Sequence, residues 1–217
     1  MKFIYKMKFI IISPPYNIEG EIELLRYLFD NGLEYFHLRK PGIDSAILEK
    51  SLIDYLEQLP EKYHNKIILH SNYDLVQKYN LKGMHYSKNN LPIRDLNDIK
   101  HQSASFHSID EIEKNKYPFS YVFLSTVFDS ISKQNYKSSF DLTTVSNFLK
   151  NNHNRVDVIA LGGIDENTIL QTYELGFDGV AVLGAVWKTF AKTGSIDVTI
   201  KKFNKMKELC LKSVLMF

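Results

Sequence analysis

The chain has 217 residues, a formal charge of +2 and a hydrophobic fraction of 44%. That is the size of one domain with a full core, and so small a net charge argues against nucleic acid or an anionic membrane surface as the main partner. A lone cysteine, Cys210, excludes an intramolecular disulfide framework and reads as a structural thiol in a reducing, cytoplasmic compartment.

The first apolar run, Lys8 to Ser13, is β-branched and stops at Pro14-Pro15. It is too short to span a membrane, and no small-residue cleavage site follows it, so it reads as a first strand. Glu19 to Asp30 carries Ile22, Leu25, Leu28 and Phe29 at helical spacing and closes at Asn31-Gly32. A second strand, Glu34 to Lys40, precedes a helix over Asp44 to Leu59 with Asp44 as N-cap. Lys66 to Ser71 predicts a third strand, Asp74 to Tyr79 a short helix and Gly83 to Ser87 a fourth strand. Pro92 to Lys100 is a weak helix or a loop, and Ser103 to His107 a fifth strand. Ile109 to Asn115 is helical, Tyr121 to Phe128 is the sixth strand, and Asp129 to Ser139 has no periodicity and reads as a long loop. A helix over Asp141 to Asn151 leads to a seventh strand from Asp157, which ends in Gly162-Gly163. The pattern then gives a helix to Leu175, an eighth strand over Gly179 to Leu183 ending in Gly184, and a closing amphipathic helix over Ile196 to Leu211.

Strand and helix alternate eight times with no linker or change of composition, which predicts a single α/β domain over residues 1–217 folded as a (β/α)8 TIM barrel. An open doubly wound sheet fits less well, because no Gly-x-Gly-x-x-Gly follows the first strand. The last two strands are apolar throughout, as parallel strands buried on both faces are. Glycine turns after both strands predict a phosphate site, completed by a helix N-terminus.

Ligands of such barrels bind at the C-terminal strand ends. The second strand ends in His37-Leu38-Arg39-Lys40, where alternation puts His37 and Arg39 on one face and Lys40 on the other. Arginine there suits a phosphate or carboxylate. The third strand ends at His70, and the fifth carries Ser105 and His107 on one face, so three strand-end histidines are candidates for moving protons. Imidazoles also suit transition metals, but no His-x-His pair or acidic cluster accompanies them, and no metal ligand is assigned. His85, His64, His101 and His153 read as structural or solvated. Lys133, in the long loop, reads by itself as a solvated lysine, although a loop lysine can close over an anionic substrate.

Together these residues resemble the thiamine phosphate synthase/TenI superfamily. The resemblance rests on His-Leu-Arg at 37–39, Tyr-Asp-Leu at 73–75, Lys-Gly-Met-His at 82–85, Ser-Phe-His-Ser at 105–108 and Lys133. It continues through Ala-Leu-Gly-Gly-Ile at 160–164 and Gly-Phe-Asp-Gly-Val-Ala-Val-Leu at 176–183. It implies a β/α barrel and a small-molecule partner, a phosphorylated thiazole. The family's synthase joins a hydroxymethylpyrimidine diphosphate to a thiazole phosphate and releases diphosphate, with Mg2+. By that likeness Arg39 and Lys133 face the diphosphate, while Gly162, Gly163, Leu183 and Gly184 hold the thiazole phosphate. His37 and His70 fall among the substrate-binding positions, and His107 is the acid/base with Ser105 beside it.

The chain departs from the synthase pattern where Pro41 replaces a lysine, His37 a glutamine, and Ser71 and Asn90 the magnesium-binding aspartates. This turns the expectation towards the TenI-like thiazole tautomerase, which needs a proton shuttle and a phosphate site but no cofactor. Other readings stay open: a synthase with metal ligands elsewhere (Asp74 or Asp129), a non-catalytic sensor of a phosphorylated ligand, and a sugar-phosphate epimerase. Oligomeric state is also left open, a homo-oligomer included.

Overall fold

The computed structural model describes residues 7–88, 91, 99–129, 140–151 and 156–212. Eight parallel strands close into one barrel in sequence order, β1 pairing with both β2 and β8. They are β1 (Lys8–Ile12), β2 (Tyr35–Leu38), β3 (Ile67–Leu69), β4 (Gly83–Ser87), β5 (Gln102–Phe106), β6 (Tyr121–Ser125), β7 (Asp157–Leu161) and β8 (Gly179–Val182). Outside them run α1 (Glu21–Asp30), α2 (Ser45–Glu57), α3 (Tyr73–Lys78), α4 (Ile109–Glu113), α5 (Leu142–Asn151), α6 (Ile169–Leu175), α7 (Gly184–Thr193) and α8 (Ile196–Lys212). Asp44 caps α2 as expected, its side chain accepting from the Ala46 N–H at 2.8 Å. No described helix is long and apolar enough to cross a membrane.

The period of two along each strand sorts side chains into two cores. One faces the helices and holds Leu24, Leu28, Phe36, Leu38, Val122, Leu124, Val158 and Val180, all buried. The other fills the barrel, with Ile10, Ile12, Ile68, Tyr121, Phe123, Ile159 and Ala181. A TIM barrel interior is such a packed core rather than a pore.

Two elements depart from the sequence expectation. The sixth strand stops at Ser125, and α7 follows β8 directly, with Leu183 as its N-cap residue. The expected loop over Asp129 to Ser139 and the segment Pro92 to Lys100 fall mostly outside the described residues.

Candidate active site at the C-terminal mouth of the barrel

The turn after β7 places Gly162 at φ +98° and Gly163 at φ +66°. A Cβ on Gly162 would stand 2.4 Å from the Thr126 methyl, and one on Gly163 would stand 2.6 Å from the Asp129 carbonyl oxygen. No side chain fits either position. After β8, Leu183, Gly184 and Ala185 enter α7, and the first N–H groups of a helix have no acceptor within it. Trp187 on this helix donates from its indole N–H to the Ile12 carbonyl at 2.7 Å, which fixes the helix start against β1.

Both turns line one cavity of about 670 Å³, together with Ser13, Arg39, Ser125, Asp165, Lys188 and Lys202. Lys202 is paired with Glu166 at 3.3 Å, and Arg39 and Lys188 still outnumber the Asp165 carboxylate, which makes this an anion-favouring cavity. Arg39 is held by its backbone: its N–H donates to Ser13 Oγ at 2.8 Å, and that hydroxyl donates back to the Arg39 carbonyl, also at 2.8 Å. Arg39 itself is exposed at the mouth, while neighbouring Lys40 turns outward and pairs with Glu21 at 2.7 Å under the helices. That is the split of faces read from the sequence.

The strand-end histidines separate. His107 lies one residue beyond β5 and is exposed. Its backbone N–H donates to Glu111 Oε2 at 2.8 Å, and its Nδ1 lies 3.1 Å from the Ser125 carbonyl oxygen and 3.2 Å from Ser125 Oγ. A carbonyl only accepts, so Nδ1 carries the hydrogen, and in the neutral ring Nε2 is the proton-accepting nitrogen. Ser125 lines the cavity, and His107, which contacts it, is not itself among the lining residues.

Ser105 does not support His107. It bonds instead to His85 Nε2 at 2.7 Å inside the barrel. The expected pairing fails because strand alternation ends at Phe106, before His107. His37 is likewise withdrawn from the mouth. It is fully buried, with Nε2 2.5 Å from the Tyr121 hydroxyl and Nδ1 2.9 Å from His70 Nε2. His70 is half-buried beside it, and neither histidine lines the cavity. His85, read from sequence as structural or solvated, joins them as a buried third member. Lys133 and Asn90 lie outside the described residues.

Burial pulls all three of these histidines below the ordinary imidazole range. His37 and His70 go well below it, and His85 down to about 3 with the Arg39 guanidinium as a further cause. They are neutral rings. At the other end of the interior, burial and the nearby Lys82 and Lys8 charges take His101 to about 4.

The carboxylates needed for Mg2+ do not gather here. Asp74 and Asp129 are both exposed, and the one group of three metal-ligating residue types found among the described residues is His37, His70 and His85. Magnesium takes oxygen ligands and keeps its waters, so these described residues do not fit it. Lys188 and Lys202 went unread in the sequence. Lys188 sits four residues after Gly184, one turn along α7, a spacing that would have found it had α7 been recognised.

A closed (β/α)8 barrel with a cavity at its C-terminal mouth has the layout of a barrel enzyme, whose ligands bind at the strand ends. Residues 9–186 match the family model described as thiamine monophosphate synthase, and the chain belongs to that family of thiamine-biosynthesis proteins, the thiamine phosphate synthase/TenI superfamily. It is 28% identical over 161 residues to a thiamine-phosphate synthase of Anoxybacillus flavithermus, covering 71% of this chain and 74% of that one. A second such synthase, from Staphylococcus haemolyticus, is 25% identical over 194 residues, covering 83% and 85%. A solved thiamine phosphate pyrophosphorylase of Bacteroides thetaiotaomicron superposes with a TM-score of 0.77 at 31% identity, covering 94% of this chain and 97% of that one.

Proposed function

We propose that this chain is a thiamine-phosphate synthase. In this reading a thiazole phosphate sits on the turns Gly162-Gly163 and Leu183-Gly184, and a pyrimidine diphosphate lies towards Arg39. The observation that carries it is the single cavity that unites both glycine turns with Arg39, Lys188 and Lys202. The relatives named thiamine-phosphate synthase support this reading at least as well as the tautomerase that the sequence alone put first.

The reaction forms a bond from the thiazole nitrogen to the pyrimidine's methylene carbon and breaks that carbon's bond to the diphosphate oxygen. Negative charge grows on the leaving diphosphate, and fixed cations aimed at it lower the barrier. In this reading cavity-lining Arg39 supplies one, and Lys133 supplies a second. Backbone N–H groups at Gly163 and the start of α7 hold the thiazole's phosphate, as helix N-termini hold anions generally.

One observation favours the second reading, the TenI-like tautomerase. His107, in contact with the cavity-lining Ser125 and with Nε2 as proton acceptor, suits the removal and return of a carbon-bound proton. Both reactions are assayed on the purified protein, with and without added Mg2+. The synthase reading expects thiamine phosphate and diphosphate in equal amounts. Tautomerised carboxythiazole phosphate with no condensation product would transfer the assignment to the second reading, and neither product would overturn both.

A further inference from the structure

We propose that His37, His70 and His85 form a binding site for one divalent transition ion of the zinc class, inside the barrel and apart from the phosphate cradle. The proposal does not depend on which reaction the mouth performs.

The three residues come from adjacent strands. His37 pairs in register with Ile68, and Leu69, just before His70, pairs with Met84, just before His85. The ladder therefore brings three imidazoles to one patch of the inner wall. One nitrogen from each lies within 4.8 Å of the others, and the ring centroids are 5.1, 4.9 and 4.3 Å apart. A tetrahedral ion with nitrogens at about 2.0–2.1 Å needs those nitrogens roughly 3.4 Å from one another. His37 Nδ1 and His70 Nε2 are already 2.9 Å apart, so side-chain rotation of about an ångström completes the set.

The surroundings are those of a ligand shell. Metal-bound histidines give their other ring nitrogen to a hydrogen-bond partner that fixes tautomer and orientation. His37 has the Tyr121 hydroxyl on Nε2 at 2.5 Å, and His85 has Ser103 Oγ on Nδ1 at 2.8 Å and Ser105 Oγ on Nε2 at 2.7 Å. Either serine can serve once the other nitrogen takes the ion. Without metal, a hydrogen on His37 Nδ1 is given to His70. With metal, that hydrogen moves to Nε2 and the Tyr121 hydroxyl turns from donor to acceptor, with no net change of charge. Three neutral nitrogens without a carboxylate suit zinc, nickel, copper or iron rather than magnesium or calcium. They leave the ion its full charge, and nearby Arg39 adds to it. The fourth position therefore favours an anion, hydroxide included.

The competing explanation is a purely hydrogen-bonded histidine cluster. Chelator-stripped full-length protein titrated with Co2+ separates the two. Expected are one equivalent of Co2+ with the visible bands of tetrahedral coordination, its displacement by Zn2+, and roughly tenfold or more weaker binding in His70→Ala. His107→Ala should bind Co2+ as the parent does. His70→Asn is the second variant should His70→Ala fail to fold, with folding judged by near-ultraviolet circular dichroism without metal. No saturable Co2+ or Zn2+ binding by the parent would overturn the site. So would folded His70 variants that bind within about twofold of it.

Discussion

Gly163 carries the sharpest residue-scale expectation. Its φ of +66° disfavours any side chain, and a Cβ would press on the Asp129 carbonyl at 2.6 Å, a backbone atom with little room to yield. Gly163→Ala is therefore expected to cost about 1–3 kcal/mol of stability, the usual range for such backbone strain. It should also weaken binding of a phosphorylated thiazole by distorting the turn. Urea denaturation and calorimetric titration measure the two losses, and an Ala variant equal to the parent in both would remove the turn from the site. In the tautomerase reading His107→Ala is expected to lower tautomerase turnover by roughly 10²–10⁴-fold, the usual worth of an acid/base group. Ser125→Ala should cost much less, because the carbonyl that orients the ring is backbone and survives the change. Steady-state rates of the three proteins test that ranking. Gly163 and His107 were readable from sequence because each ends or follows a strand, and strand ends are where a barrel puts its ligands. The histidine cluster was not readable. Its members are 33 and 15 positions apart, and only the strand register brings them together.

At the scale of elements, α1 and the end of β2 are joined by a charge pair hidden from water. The Lys40 and Glu21 side chains are 1% and 2% exposed and meet at 2.7 Å, and the Tyr55 hydroxyl of α2 donates to the same carboxylate at 2.7 Å. Burial draws the Lys40 ammonium down, and Glu21 opposes it. Removing one partner strands the other, so Glu21→Gln is expected to destabilise by about 3–5 kcal/mol. Glu21→Leu combined with Lys40→Met should recover much of that loss, because it leaves no buried charge. Denaturant midpoints of the single and double variants decide it, and a double variant worse than the sum of its parts would refute the account. Alternation in the sequence put Lys40 on the outer face but could not find Glu21, whose contact depends on how α1 lies across the strands. The missed helix α7 has a physical reason too. It starts on a glycine straight after β8, with a leucine where a polar cap would normally announce it. Its buried Val186, Trp187 and Phe190 do carry a helical stripe, visible once the strand end is fixed.

For the whole molecule, filling part of a barrel interior with imidazoles ties stability to pH. Burial leaves His37, His70, His85 and His101 below their unfolded value of 6.5, with His101 at about 4 and His85 at about 3. As pH falls below about 6.5 the unfolded chain takes up protons that the folded chain refuses. The unfolded state then binds more protons, so unfolding free energy rises with pH across this window and is lost as pH falls towards 4. The contribution is fully present above about pH 7. Each histidine contributes up to about 1.4 kcal/mol per pH unit, so even two of the four would remove about 3 kcal/mol per unit. Carboxylates whose ranges are lowered, such as Glu111 and Glu166, titrate below the window and do not mask it. Urea denaturation of metal-free protein at pH 7.5, 6 and 5 should thus show a steep loss of stability well above the carboxylate range. His70→Ala should flatten the slope by about one proton, because the proton-refusing ring is gone while the rest of the interior remains. A parent protein equally stable at pH 7.5 and 5 would mean the buried rings accept protons as readily as exposed ones, and that the interior is wetter than its packing shows.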